Sequence, residues 1–364
     1  MNLLLKIFIK LVNTKILFLS NQSLILGISG GQDSLILLIL ISIIKNQWSL
    51  YTYSTYCNHF WQTDSFISSF HLLRIHYLLR IKIVINVPCS FLKTEEKSRE
   101  WRYFQFERIQ NFYKINTIIT GHSKSDKNET FLFNIFRGSG VSNLSSISWK
   151  KTRFLNKFVC FGINFKSAYK IYLNKPKNTR FLLIRPLLFL YRYEICCFTK
   201  FYNYPVIIDK TNFKVEYFRN RIRYQLLPLL RFYFNPKIDR TLTRFIEIFL
   251  TEFEYINLLT LKILKKIQLK NCTNQSFCIN LTLFLFLPYS LKKRVLISIL
   301  KLLKITNIRF DLLEKILKII FLISKKNNYN TLTIFMLSRN IVLIFYQNQF
   351  LIENRKIVFG FDGI

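Results

Sequence analysis

The segment Ser29–Ser34, which reads SGGQDS, constrains the fold of this chain more than any other part of the sequence. It separates a short apolar run, Ser23 to Ile28, from a longer one, Ser34 to Ile44. This pattern indicates a strand that passes through a tight glycine turn into a buried helix. Two adjacent glycines let the backbone approach a phosphate without a Cβ clash, and N–H groups at a helix start attract anions. The alternative is an ordinary strand-to-helix turn with a serine cap.

The side chains of this loop favour a phosphate site over a plain turn. Its serine hydroxyls add hydrogen-bond donors, and Asp33 can hold a Mg²⁺ ion that bridges phosphate oxygens. The loop is not a Walker A motif, because the G-x-x-x-x-G-K-[ST] spacing and its lysine are missing. The predicted phosphate-binding residues are Ser29, Gly30, Gly31, Gln32, Asp33 and Ser34.

Apolar runs alternate with helical patterns through the first part of the chain, which predicts an α/β fold with a parallel sheet. The further strand candidates are Leu50 to Cys57, Ile81 to Val87, Ile115 to Thr120 and Phe181 to Arg185. The lysine-rich stretch from Trp149 to Arg180 interrupts this order, and we expect a hairpin or a loop insertion there.

After Pro236 the sequence pattern changes to long helical segments that bear lysines. Two short strand-like runs follow, Leu332 to Phe335 and Ile341 to Phe345. We therefore expect three parts. They are an N-terminal extension over 1–20, a catalytic α/β domain over 21–235, and a mainly helical domain over 236–364 that contacts RNA.

The formal net charge is +35, which favours a polyanionic partner, with nucleic acid ahead of an acidic membrane surface. A second explanation is codon bias in an AT-rich genome, since Ala168 is the only alanine. The basic excess runs through both halves of the chain rather than a tail, which supports the nucleic-acid interpretation.

Cysteine spacing and the N-terminus exclude several classes of protein. The seven cysteines contain no C-x-x-C pair, so neither a zinc site nor a disulfide framework is expected. Lysines interrupt the apolar N-terminus, so a secretory signal is not expected. The uncharged run from Leu35 to Ile44 is too short to span a bilayer, and no membrane association is predicted.

The S-G-G-x-D-S loop resembles the pyrophosphate loop of the N-type ATP pyrophosphatases. This resemblance implies a Rossmann-like parallel sheet, ATP and Mg²⁺ as cofactors, and cleavage of ATP to AMP and pyrophosphate. Members adenylate a carbonyl-like oxygen, and a nitrogen or sulfur nucleophile then displaces AMP.

Further motifs, in matching order over nearly the whole first 230 residues, resemble the tRNA(Ile)-lysidine synthase family. They are E-x-x-x-R-x-x-R-Y at 95–103, GHSKSDKNET at 121–130, R-G-S-G at 137–140, R-P-L-L at 185–188, DKTN at 209–212, R-N-x-x-R at 219–223 and L-P at 227–228. Ser125 stands where the family usually has the first of two aspartates, which leaves Asp126 and Glu129 as the acids of the second motif. From the residues alone, these acids could equally be dipole partners, and Ser123 with Asp126 would form a capping box.

The resemblance implies a role for each matching residue. The implied catalytic residues are Asp33, Asp126, Glu129 and Arg102, and the implied metal ligands are Asp33 and Asp126. The implied substrate and tRNA contacts are Glu95, Arg99, Tyr103, His122, Arg137, Arg185, Arg219, Asn220 and Arg223. From the residues alone, the arginines could be solvated surface charges, and each histidine could simply be packed.

The family activity implied here is ligation of free lysine to C2 of the wobble cytidine in the CAU anticodon of an isoleucine tRNA. The expected partners are that tRNA and lysine, and a homodimer is kept open. The alternatives are a tRNA thiolase, a small-molecule ligase such as an NAD synthetase, and a non-catalytic nucleic-acid binder. AT-rich composition favours a plastid, with a bacterial cytoplasm as the alternative location.

Overall fold

The structure is a computed structural model. It describes residues 2–59, 65–89, 94–138, 140, 144, 147–154, 180–206, 216–269, 276–305, 308–326, 333–338, 341–346 and 348–354. These residues divide into two compact units, Met1–Glu247 and Ile248–Ile364. None of the described helices has both the length and the apolar character needed to span a membrane.

The first unit contains a six-stranded sheet in the order β3-β2-β1-β4-β6-β5. The strands are β1 Ser23–Ile28, β2 Tyr51–Cys57, β3 Lys82–Asn86, β4 Thr117–Thr120, β5 Lys150–Phe154 and β6 Arg180–Ile184. The strands β3, β2, β1, β4 and β6 pair in parallel, which confirms the predicted α/β fold. β5 pairs antiparallel with β6, so a hairpin is confirmed at the base of the predicted interruption. Residues 155–179 of that interruption lie outside the described residues.

The helices of this unit alternate with the strands. They are α1 Asn2–Thr14, α2 Gln32–Gln47, α3 Ser65–Leu78, α4 Glu95–Tyr113, α5 Lys124–Phe136, α6 Arg192–Phe201, α7 Phe218–Arg221 and α8 Leu227–Tyr233, and α9 Ile238–Ile267 continues past the unit boundary. A π-helical turn, Ile222–Leu226, joins α7 to α8.

Hydrophobic clusters cover both faces of the sheet, which explains why its strands read as continuous apolar runs. Leu24 and Leu26 of β1 pack into one cluster with α1 and α2, whereas Ile25 between them packs into the other with α4. Gly27 lies under α4, since a Cβ there would come within 2.8 Å of the Phe106 ring. The carboxyl ends of β1 and β4 therefore lie side by side between covered faces, and the predicted loop begins there.

The first residues pack into this unit rather than extending from it. Leu4, Phe8 and Val12 of α1 are buried at helical spacing in the same cluster as β1 and α2. The domain boundaries predicted from the sequence, at 20/21 and 235/236, stay predictions. The structural division into two units falls between Glu247 and Ile248.

The second unit combines helices with a four-stranded antiparallel sheet in the order β7-β10-β9-β8. Its elements are β7 Ser276–Asn280, α10 Leu281–Leu285, α11 Tyr289–Leu302, α12 Phe310–Lys326, β8 Thr333–Ser338, β9 Ile341–Tyr346 and β10 Gln349–Asn354. The sequence predicted β8 and β9, whereas β7 and β10 were missed. Both missed strands end in polar residues that resemble turn signals.

Candidate active site

The loop after β1 has the geometry of an anion cradle. Gly30 adopts a φ of +85°, a backbone conformation that L side chains rarely adopt. Gly31 is the N-cap of α2 and offers no side-chain cap to its first turn. The leading N–H groups of a helix have no intrahelical partner, so this uncapped start favours an anion. The backbone N–H of Ser29 and its hydroxyl both approach the Ser34 Oγ at 3.2 Å, which closes the loop.

Asp33 occupies the first turn of α2. Among the described residues, its Oδ1 atom is buried without a hydrogen-bond partner. Burial, together with the negative charge of Asp126, raises the pKa of Asp33 to about 6. A buried oxygen that lacks a donor and resists ionisation suits a cation, since a nearby positive charge would reverse both effects.

The end of β4 lies directly against this loop. A Cβ on Gly121 would come within 2.8 Å of the Asp33 carbonyl oxygen and 3.0 Å of the Ser34 Cα. Glycine at this position therefore lets the two strand ends approach, and it places the start of α5 beside the loop.

Helix α5 begins with the capping box that the sequence allowed. Asp126 accepts hydrogen bonds from the Ser123 backbone N–H at 2.8 Å and the Ser123 hydroxyl at 3.0 Å, and its own N–H returns one to the Ser123 Oγ at 3.4 Å. The structural alternative for Asp126 is thus confirmed. The capping box uses the Oδ2 atom of Asp126. Asp126 can therefore have a second role through its Oδ1 atom, which makes other contacts.

Three arginines converge on the two acids of α5. Arg192 donates to the Asp126 Oδ1 at 2.7 Å and to the Glu129 Oε1 at 2.6 Å. Arg219 reaches the same two carboxylates, each at 3.0 Å. Arg223 makes a two-pronged contact with Glu129 at 2.8 and 2.9 Å. We call Asp126, Glu129, Arg192, Arg219 and Arg223 the arginine–carboxylate cluster.

The arginines keep both acids of this cluster ionised. Burial opposes the charged form of Asp126, but Arg192 and Arg219 outweigh it and hold the pKa of Asp126 well below its usual range. Burial also opposes charge on Glu129, and Arg192 and Arg219 again prevail, so the pKa of Glu129 is lowered. Carboxylates in this state are weak proton acceptors and strong anchors for guanidinium groups.

Arg192 joins the cluster to the loop, and none of the motifs named above includes this residue. Its Nη2 lies 3.7 Å from the Asp33 Oδ2, so one guanidinium faces all three acids of the site. Its backbone N–H donates to the Ser125 Oγ at 3.0 Å. The serine that replaces the family's usual aspartate therefore anchors the start of α6 to α5.

A wide helical turn orients Arg219 and Arg223. The Leu227 N–H donates to the Ile222 carbonyl, five residues back, instead of the usual four. Pro228 follows, and proline lacks an N–H and crowds the carbonyl four residues earlier, which accounts for the wide turn. Such turns are frequent at functional sites.

Arg102, Arg99 and Tyr103 of α4 have different surroundings. Arg102 is exposed, and its Nη2 lies 3.3 Å from the His59 Nε2. Burial and, to a smaller extent, the positive charge of Arg102 lower the pKa of His59 to about 3. Arg99 is exposed above the Tyr103 ring at 6.0 Å, while Tyr103 is buried against Phe106. Glu95 begins this helix.

The remaining predicted contacts divide into buried and exposed groups. His122 Nδ1 lies 2.9 Å from the Thr120 hydroxyl, and burial lowers the pKa of His122 to about 3, so the ring is neutral. Arg185 is buried and donates to the Ser148 carbonyl at 2.8 Å, and Asn220 is also buried. Arg137 is exposed and lies 4.1 Å from the Phe133 ring centre. The DKTN segment at 209–212 lies outside the described residues.

The fold and the loop define a PP-loop nucleotide-binding protein, and the PP-loop domain model matches residues 5–230. The chain is 30% identical over 313 residues to the chloroplastic tRNA(Ile)-lysidine synthase of Zygnema circumcarinatum, covering 81% of this chain and 74% of the relative. It is 28% identical over 302 residues to the tRNA(Ile)-lysidine synthase of Synechocystis sp., covering 83% and 84%. The chain belongs to the tRNA(Ile)-lysidine synthase family within the PP-loop proteins.

A solved structure supports the fold. The U34-tRNA thiolase of Methanococcus maripaludis, determined with its [4Fe-4S] cluster, superposes with a TM-score of 0.50 at 16% identity, covering 68% of this chain and 80% of that one. Identity this low indicates a shared fold alone. Among the described residues, no group of three His, Cys, Asp or Glu side chains is placed to hold a metal ion.

Proposed function

We propose that this chain ligates the ε-amine of free lysine to C2 of the wobble cytidine of an isoleucine tRNA with a CAU anticodon. ATP supplies the adenylyl group that activates the C2 oxygen, and AMP and pyrophosphate leave. The product base, lysidine, pairs with A instead of G. The supporting observation is that the PP-loop and the arginine–carboxylate cluster meet at one guanidinium, that of Arg192.

The loop residues Ser29 to Ser34 bind the triphosphate of ATP through backbone N–H groups and hydroxyls. Asp33 suits Mg²⁺, because its buried Oδ1 lacks a donor among the described residues and Mg²⁺ commonly uses one or two carboxylates besides phosphate oxygens. Asp126 is the second candidate ligand, because it and Asp33 both contact the Nη2 atom of Arg192, at 2.7 and 3.7 Å. When bound, the ion neutralises charge on the phosphates during their departure.

The cluster acts on charge rather than on protons. Asp126 and Glu129 hold Arg192, Arg219 and Arg223 in fixed positions, and preorganised guanidinium groups stabilise negative charge that develops on a leaving phosphate. Since both acids have a lowered pKa, they are poor general bases, and we assign them to charge stabilisation rather than proton transfer.

The predicted RNA contacts divide by accessibility. Arg99 and Arg137 are exposed and can reach a phosphate directly. Arg102, which was predicted as catalytic, is exposed as well. Tyr103, Arg185 and Asn220 are buried, so we assign them to packing that supports the site. His122, which is neutral, can accept or donate a hydrogen bond to substrate. Glu95 stays a predicted contact.

A thiolase is the alternative within the same fold, and lysine dependence separates the two. The test incubates the protein with tRNA, ATP and Mg²⁺, with and without lysine, and measures pyrophosphate release and the mass of the wobble base. With tRNA in excess over protein, we expect repeated turnover of pyrophosphate release only with lysine, and a base that carries the added lysine. Lysine-independent turnover would reject the ligase, and RNA binding without turnover would support a non-catalytic binder.

The location and the assembly of the protein are also proposals. Relatives in both chloroplasts and Synechocystis sp. fit a plastid or a bacterial cytoplasm, and AT-rich composition favours the plastid. A homodimer is kept as a prediction, which light scattering of the purified protein tests directly.

A further inference from the structure

A cleft lies beside the active site, and the proposed function does not use it. It consists of two adjoining hollows of about 250 and 360 Å³, which share Tyr191 and Arg240 in their walls. Tyr191 and Tyr193 flank Arg192 in sequence at the start of α6. The backbone that directs Arg192 into the arginine–carboxylate cluster thus presents two aromatic rings to the neighbouring cleft.

The two rings form a stack with an accessible end. Their centroids are 5.7 Å apart and their planes differ by 12°. Tyr191 is buried, whereas Tyr193 is 55% exposed. A further planar group can therefore extend the stack on Tyr193.

Contacts with two helices, α5 and α9, keep the inner ring in place. The Tyr191 hydroxyl donates to the Thr243 Oγ1 at 3.3 Å, and the Thr243 hydroxyl lies 3.1 Å from the Asn128 Oδ1. The Lys124 Nζ lies 4.8 Å from the centre of the Tyr191 ring. A ring held in this way is preorganised, so little conformational entropy is lost when a ligand stacks on the pair.

The charges around the rings suit an anion. Lys237 and Arg240 line the smaller hollow. Lys124, Arg240 and Arg244 line the larger one together with one acid, Glu247, so basic side chains are in excess there. The acid of the smaller hollow, Asp239, is engaged by Arg231 in a two-pronged pair at 2.6 and 3.1 Å. Its negative charge is thereby largely compensated, and the hollow is basic beside an open aromatic face.

We propose that this cleft binds a single-stranded nucleotide of the RNA substrate, with its base stacked on Tyr193 and its phosphate held by Lys237 and Arg240. The inference rests on the proposed function for the identity of the RNA. Bases in a duplex are already stacked, whereas an unpaired loop base can lie on an aromatic ring. An acidic peptide without aromatic residues fits less well, because it offers no ring for the stack.

The test measures binding of a fluorescent anticodon stem-loop RNA by anisotropy. Tyr193→Ala should weaken binding roughly fivefold to a hundredfold, the range found for loss of one base stack. Tyr193→Phe keeps the ring face and should bind within about twofold of wild type. Phe201→Ala is the matched control, because Phe201 is an exposed aromatic residue on the same helix.

Arg240→Gln tests the phosphate contact. Its slope of log Kd against log salt should fall by about 0.7, the value for one phosphate of a single strand. Arg74→Gln, at an exposed position on α3, should leave the slope unchanged. Wild-type affinity of Tyr193→Ala would overturn the proposal, and so would equal competition by polyglutamate and by an RNA oligonucleotide.

A parallel assay of lysidine formation separates this inference from the proposed function. If wild type forms lysidine while Tyr193→Ala keeps its Kd and its KM for RNA, the cleft proposal fails alone. If wild type forms no lysidine but Tyr193→Ala still loses RNA affinity, the reaction is wrong and the cleft stands. Unchanged ATP affinity in Tyr193→Ala would show that the variant is folded.

Discussion

Glu129→Gln is the sharpest test of the arginine–carboxylate cluster. Glu129 is almost fully buried and accepts four hydrogen bonds from three arginines. Glutamine has nearly the same shape, but it removes the negative charge and turns one acceptor oxygen into a donor that faces other donors. The substitution therefore tests charge and hydrogen bonding without opening a cavity.

The expected loss follows from those contacts. Removing one partner of a buried charge pair costs about 3–5 kcal/mol. The three arginine side chains are 18–31% exposed and can partly turn to water, so we expect about 3 kcal/mol, the lower end of that range. For a unit of this size, that corresponds to a fall in Tm of roughly 6–12 °C.

Tryptophan fluorescence during urea unfolding is a suitable assay. All four tryptophans, at positions 48, 61, 101 and 149, belong to the first unit, so the signal reports the unit that contains Glu129. Glu100→Gln, at an exposed position on α4, is the matched control and should stay within about 0.5 kcal/mol of wild type. If Glu129→Gln were equally close to wild type, the charge pairs of Glu129 would not stabilise the fold, and the inference that Glu129 holds the three arginines in fixed positions would be wrong.

Three other measurements test the site. Asp33→Ala should abolish AMP formation while leaving tRNA affinity within about tenfold of wild type, because phosphate and metal handling is separate from docking; a large loss of tRNA binding in a filter assay would contradict this. The pKa of Asp33 is raised to about 6, so below this pH a proton competes with the cation for the carboxylate. The affinity for Mg·ATP, measured by calorimetry, should therefore fall as the pH drops through 6, and Asp33→Asn should lose this dependence. Affinity for tRNA should fall steeply with salt, since basic side chains displace condensed counterions. An affinity that does not change with salt would mean that the net charge of +35 results from codon bias.

The sequence predicted the loop and the sheet well because both depend on local pattern. The apolar run of β1 and the glycines after it specify a strand and a turn wherever they occur, and the parallel order follows from the alternation of elements. The capping box at Ser123 and Asp126 is local in the same way. Each of these features is determined by residues that are close neighbours in the sequence.

The cluster could be predicted only in part, because its contacts join distant segments. Arg219 and Arg223 were identified through a motif, yet their partner Glu129 lies 90 and 94 residues away. Arg192 belongs to no motif considered, and a single arginine usually lies at the surface. The burial of Tyr103 and Arg185 could not be predicted from the sequence either, since it depends on which elements cover them.

The wide turn at 222–226 also affects how the chain can change over generations. Ile222 and Leu227 would lie about 1.4 turns apart in a regular α-helix, yet both belong to one hydrophobic cluster with Leu132. The turn absorbs one surplus residue and so restores the phase between the halves of the helix. Deleting one of these residues would return the helix to a regular turn with its phase unchanged, but Pro228 would then lie inside a regular helix and crowd the carbonyl four residues earlier. We therefore expect related chains that lack the extra residue to lack this proline as well.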